Sequence, residues 1–306
     1  MDTAFKTEIS AKLKEKNLAD SSIKLYLRTL EKLNDNKPLK NLNFLKNSDK
    51  IMKSIEHLKP NTVRNYLIAV SSVLGLDKST KPKQKLYNTY FNLMMNMNKT
   101  LKEVEHSNTK SDTQQKNWID WNDVIEQYNT LEQKVNTFKG KKIITEAEYN
   151  TLLQYMILSL YVLLPPRRNE YRDMLIVNKV PKDTTENYLV LDTHQIIFNK
   201  YKTAKAEGSL TVDIPVALQD VLSVYLKFHP GKKKGQFLMY ADGTLLDKVN
   251  SITRVLNKVF SPKRVSSSML RHSYLSYKYG KVQESQKTDA ELMGHSLSMA
   301  KDYIKE

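Results

Sequence analysis

Residues 106–117 read His-Ser-Asn-Thr-Lys-Ser-Asp-Thr-Gln-Gln-Lys-Asn, a run with nothing to bury. Such a stretch marks a domain boundary, because chain without apolar residues cannot join a core. It separates residues 1–105 from residues 118–306, and each part is expected to build a core of its own. With 40% apolar residues there is material for both.

The first part reads as helices throughout. Ile23, Tyr26, Leu27, Leu30 and Leu33 form a stripe of helical period, and Lys24, Arg28 and Lys32 form a basic row on another face. A second helix from about Ser48 buries Ile51, Met52, Ile55 and Leu58. A third opens at Pro60, a favoured first-turn residue, and runs through Val63, Leu67, Val70 and Leu74 to Gly75. A fourth spans about Pro82 to Glu105, with Met94 and Met97 as core filling. An all-helical domain of four to five helices is predicted.

In the second part, helix resumes at Trp118 and Trp121. Thr145-Glu-Ala-Glu148 is a capping box for a strongly apolar helix that Pro165-Pro166 ends. Strand-like runs follow at 188–191, 194–198 and 209–214, with Gly208 in the turn between the last two. Helical patterns return at 216–228, 246–259, 266–279, 288–293 and 298–304. The second domain is expected to be α+β, and the chain mainly α with a small antiparallel sheet.

The chain carries 49 Lys and Arg against 33 Asp and Glu, a net charge of +16, of which +10 falls in the first 110 residues. Duplex DNA and a solubilising lysine-rich surface account for that charge equally well. The lack of Cys removes disulfides, thiolate nucleophiles and Cys-ligated zinc, and suits a reducing compartment. The six His include no i, i+4 pair, and carboxylates such as Asp192 and Asp213 fall in no metal-binding cluster. With no Gly-rich phosphate cradle either, no metal and no cofactor is expected. The longest apolar run, Tyr155–Leu164, is too short for a bilayer, and the first ten residues have no leader-like core. An intracellular protein without a membrane partner is expected.

Metal-free chemistry on a phosphodiester must draw its cations and its nucleophile from the protein. Arg167 begins Arg-Arg-Asn-Glu-Tyr after the Pro-Pro break, and Lys202 sits in Tyr-Lys-Thr-Ala-Lys at the tip of the predicted hairpin. Arg271 lies in Ser-Met-Leu-Arg-His, His295 follows Gly294, and Tyr303 comes eight residues later. Taken singly, each has an ordinary explanation: Arg167 and Glu170 as a surface salt bridge, Lys202 or Lys205 as solvated charge, His295 as a helix cap, Tyr303 as packing.

Taken in order, the series resembles the tyrosine recombinases (phage integrases), whose catalytic domain carries Arg, Lys, His-x-x-Arg, His or Trp, and Tyr in this sequence. Asp20-Ser-Ser-Ile-Lys-Leu-Tyr-Leu and Pro60-Asn-Thr-Val-Arg-Asn-Tyr-Leu look like phrases of the family's helical core-binding domain. Pro165-Pro-Arg-Arg-Asn-Glu-Tyr-Arg-Asp-Met is closer to the recombinases of large DNA viruses and virophages. The resemblance implies a core-binding domain over 1–105, a linker over 106–117 and a catalytic domain over 118–306, clamped around double-stranded DNA.

The resemblance implies site-specific cleavage and rejoining, as in integration or excision of a mobile or viral genome. Arg167 and Arg271 would grip the scissile phosphate, His295 would donate to it and Tyr303 would attack, leaving a 3′-phosphotyrosyl bond. Lys202, with Lys205 as its near rival, would protonate the leaving 5′-oxygen, and Glu170 would buttress Arg167. The family's first His is Ser268 here, which can bond a phosphate oxygen but cannot be a cation; His272, beside Arg271, is the candidate to substitute in part. Lys24, Arg28, Lys59 and Arg64 are candidate DNA contacts, with a solvated charged face equally able to explain any one of them.

The expected working form is a homotetramer on two sites, a dimer on each, found with DNA in a nucleus, nucleoid or viral factory. The sequence runs three residues past Tyr303, so subunits are expected to associate through other surfaces or the terminal helix. A type IB topoisomerase would use the same chemistry as a monomer, and a non-catalytic DNA-binding protein would keep the fold without turnover.

Overall fold

The computed structural model describes residues 4–106, 110–182, 185–232 and 234–294. The chain divides into two compact units, Met1–Thr109 and Lys110–Glu306, and is mainly helical with one small mixed sheet.

The first unit contains α1 (Ala4–Glu15), α2 (Asp20–Leu33), a 3₁₀ turn (Asn43–Lys46), α3 (Ser48–Ile55), α4 (Pro60–Leu74) and α5 (Lys81–His106). The stripes read from the sequence are the buried faces: Ile23, Leu27 and Leu30 on α2 meet Val63, Leu67 and Val70 on α4 in one core. Burying a leucine such as Leu30 fully stabilises by about 1.5–3 kcal/mol. Tyr90 on α5 is buried and donates its hydroxyl to the Leu45 carbonyl at 2.8 Å, which fastens the 3₁₀ turn to the bundle. Burial, with some help from Asp49, pushes that phenol up to about 12. Gly75 follows α4 where α5 passes closely; a Cβ there would stand 3.1 Å from the Ser71 carbonyl oxygen and 3.2 Å from the Tyr87 ring.

The second unit begins with α6 (Asp112–Asn117), α7 (Trp121–Asn136) and α8 (Glu146–Val162). Thr145 and Glu148 form the expected capping box, and α8 is buried all round, from Leu152 to Tyr161, so it is the spine of the core. Strands β1 (Leu175–Val177), β2 (Tyr188–Val190) and β3 (Gln195–Phe198) follow, then a helical turn α9 (Ala204–Glu207), β4 (Leu210–Asp213), α10 (Val216–Lys227) and β5 (Gly235–Gln236). The last helices are α11 (Ser251–Val259) and α12 (Ser267–Leu292). Leu189, Ile196 and Phe198 point into the main core, while Tyr188, Val190 and Ile197 form a small cluster on the opposite face. That is the period of two expected of strands.

Two expectations need correction. The sheet is not antiparallel throughout: its order is β4-β3-β2-β1-β5, and β1 runs parallel to β2, with Ile176 opposite Leu189. Strand β5 has two residues, too short for an alternating pattern to show, and β1 is defined by its pairing with β2 and β5. The division between the two units falls within the expected linker 106–117, and the second half of that stretch is helical: Ser111 and Gln114 make a capping box that starts α6, and Asn117 accepts from the Arg264 amide at 2.8 Å. Finally, the patterns at 266–279 and 288–293 belong to the single helix α12, which continues through Gly280. Glycine within a helix costs about 1 kcal/mol, which weakens the helix without stopping it.

Candidate functional site

The end of α8 delivers Arg167. The helix stops at Val162, Pro166 is buried, and the chain turns through residues 167–171 before β1. The Arg167 guanidinium lies 4.0 Å from the centre of the Phe198 ring and 5.2 Å from that of Tyr201, so two aromatic faces support it. Its Nε is 3.8 Å from Glu170 Oε2, an ion-pair distance outside hydrogen-bond range, and both atoms are buried without a hydrogen-bond partner. Tyr171 packs edge-on against Tyr161 and Phe198 beneath this pair. Burial pushes the Tyr171 phenol well above its ordinary range, opposed by the charge of Arg167 and reinforced by Glu170.

Arg271 reaches the same place from α12. Ser266 caps that helix by accepting from the Met269 amide at 3.2 Å. Ser267 donates its hydroxyl to Asn169 Oδ1 at 2.9 Å, and Asn169 Nδ2 donates to the Val249 carbonyl at 3.2 Å. Asn169 thereby ties the Arg167 turn to the helix bearing Arg271. Both arginines line one cavity of about 430 Å³, together with Arg168, Glu170, Phe198 and Tyr201. Among the described residues, neither the Arg167 nor the Arg271 guanidinium donates a hydrogen bond.

A further cation, Lys202, is carried on a turn beside the cavity. Lys202 is exposed between Tyr201 and Thr203, both of which line the cavity, and Lys205 is exposed on α9. The connection from β3 to β4 that carries them is braced at both ends. Ser209 Oγ donates to Asn199 Oδ1 at 2.6 Å, and Tyr201 donates its hydroxyl to the Gly208 carbonyl at 2.7 Å. Gly208 has a φ of +74°, which only glycine adopts freely. Ser268 and His272 are exposed on α12 and lie outside the cavity lining. His295 and Tyr303 lie outside the described residues.

Asn187 was not singled out by its sequence. It is 3% exposed and occupies the residue before β2, where its amide bonds the Arg167–Glu170 turn and the start of the Lys202 connection together. An asparagine flanking a strand is commonplace, so no local signal distinguished it.

In the first unit, Lys24 and Arg28 are exposed and line an open groove of about 690 Å³ between α1 and α2. Neither takes part in an ion pair among the described residues. Lys59 is exposed just before α4. Arg64 is half-buried, and its Nε donates to Asn98 Oδ1 on α5. Among the described residues there is no group of three or more His, Cys, Asp or Glu that could hold a metal ion, and no helix is long and apolar enough to cross a membrane.

The cavity therefore offers an anion three arginines, Arg167, Arg168 and Arg271, with an aromatic wall beside Arg167 and Lys202 on an adjoining turn. Comparison with protein families, characterised proteins and solved structures finds no match to this chain.

Proposed function

We propose that the protein is a DNA strand transferase of the tyrosine-recombinase type, which cuts and rejoins DNA through a tyrosyl phosphodiester. The observation that carries this reading is the pair of guanidinium groups, Arg167 and Arg271, lining one cavity with no protein hydrogen-bond partner among the described residues. Paired forks of fixed charge suit the non-bridging oxygens of a phosphodiester, whose negative charge grows as the phosphorus becomes five-coordinate.

In this reading the Tyr303 oxygen attacks the phosphorus in line, its proton passing to solvent, and His295 donates a further hydrogen bond to the phosphoryl oxygens. The bond from phosphorus to the 5′-oxygen breaks as that oxygen takes a proton from the Lys202 ammonium. The new phosphotyrosyl bond keeps the energy of the old one, so a second 5′-hydroxyl reverses the step without ATP. Lys24 and Arg28 in the first unit would contact backbone phosphates.

A pool of nicked duplexes of randomised sequence, incubated with the protein in EDTA, should yield an SDS-resistant protein–DNA adduct that Tyr303→Phe abolishes. A tight, salt-sensitive complex that never becomes covalent would instead establish a DNA-binding protein without turnover.

A further inference from the structure

We infer that Asn187 is a positioning residue that sets the Lys202-bearing turn against the Arg167 turn, an inference resting on the strand-transfer reading above. Its Nδ2 donates to the Glu170 and Lys200 carbonyls, each at 3.0 Å, and its Oδ1 accepts from the Asn199 amide at 2.9 Å and the Lys200 amide at 2.8 Å. Two donors and two lone pairs are all that a carboxamide has, so the group is saturated. Three of these bonds end on Asn199 and Lys200, just ahead of Lys202. The fourth ends on the carbonyl of Glu170, the residue whose carboxylate faces Arg167.

Lys202 itself makes no side-chain hydrogen bond or ion pair among the described residues. Its ammonium is therefore placed by the backbone it hangs from, and that backbone is fixed at its near end by Asn187. Asn199 adds a brace, donating Nδ2 to the Glu186 carbonyl at 2.7 Å. Three of the four bonds hold the Lys202 connection and one holds the Glu170 carbonyl, so losing the carboxamide should displace the proton donor more than the Arg167 turn. The larger part of the defect belongs to one step, departure of the 5′-oxygen.

The test compares two nicked duplexes of one sequence, one with an ordinary scissile phosphodiester and one with sulfur in the 5′-bridging position. A thiolate leaves without a proton, so the sulfur substrate bypasses the general acid. Lys202→Ala should be slow on oxygen and close to wild type on sulfur. Asn187→Ala should lose on the order of 100-fold on oxygen, the effect of a misplaced catalytic group, and recover to within several-fold of wild type on sulfur. The ratio of the two rates in one sample does not depend on the fraction of protein folded.

Equal losses on both substrates, or none on either, would overturn the inference, as would a Lys202→Ala protein that sulfur does not rescue. If Asn187→Ala does not fold, Asn199→Ala carries the same comparison with a smaller loss on oxygen, and equal losses on both substrates overturn the inference there too. Wild-type protein that forms no adduct with either duplex would refute the strand-transfer reading itself, an outcome distinct from the others.

Discussion

Arg64 in the helical unit and Arg167 in the mixed unit are both partly buried arginines, and their surroundings put them to opposite uses. Arg64 donates its Nε–H to Asn98 across the α4–α5 contact, so that donor joins two helices. Arg167 meets two ring faces and a carboxylate 3.8 Å away, none of which takes up its N–H groups. An amide of matching reach ties an arginine into the packing. An aromatic wall holds one in place without taking up its N–H groups.

The contrast fails if the two residues respond alike to removal. Arg167→Ala should lower adduct formation per folded molecule by about 10²–10³-fold, the usual result of removing a donor to transition-state charge, and should also cost stability, because the buried Glu170 carboxylate loses the cation that faces it. Arg64→Ala should show only the second effect: a loss of about 1–3 kcal/mol in stability, followed by circular dichroism in urea, with cleavage per folded molecule retained. An Arg64→Ala protein that is stable but inactive would place Arg64 on the DNA instead.

The smallest expected effect separates the units by pH. His229 in the second unit is buried, its Nε2 lies 3.1 Å from the Gln236 and Phe237 carbonyl oxygens, and its Nδ1 has no partner. Burial holds its pKa below the ordinary histidine value. The unfolded chain takes up a proton near pH 6.5 that the folded unit resists, so stability is lost as pH falls below about 6.5. Both tryptophans, Trp118 and Trp121, belong to the second unit. Their emission should report a midpoint that declines over this window in wild type and stays flatter in His229→Gln.

Much of the helical architecture was legible because its signals are local. The buried faces of α2 and α4 repeat at helical spacing, and Thr145-x-x-Glu148 announces the start of α8 one turn ahead. Strands β2, β3 and β4 were legible from β-branched and aromatic runs set off by turns. What stayed hidden depends on partners distant in sequence. Strand β1 exists because Leu175–Val177 finds Tyr188–Val190 alongside it, and nothing within three residues encodes that pairing. The patterns at 266–279 and 288–293 gave no sign that one helix, α12, joins them through Gly280.

The candidate site divides the same way. The residue types and order of Arg167, Lys202 and Arg271 are properties of the sequence. That two of them line one cavity, that Phe198 and Tyr201 support one of them, and that Asn187 and Asn169 tie their turns together came only from the tertiary structure. Helices and caps are set by neighbours a few residues apart, which the chain lists in order. The reach of an amide from residue 187 to residues 170 and 200 is set by packing, which brings distant segments within 3 Å and leaves no trace in local spacing.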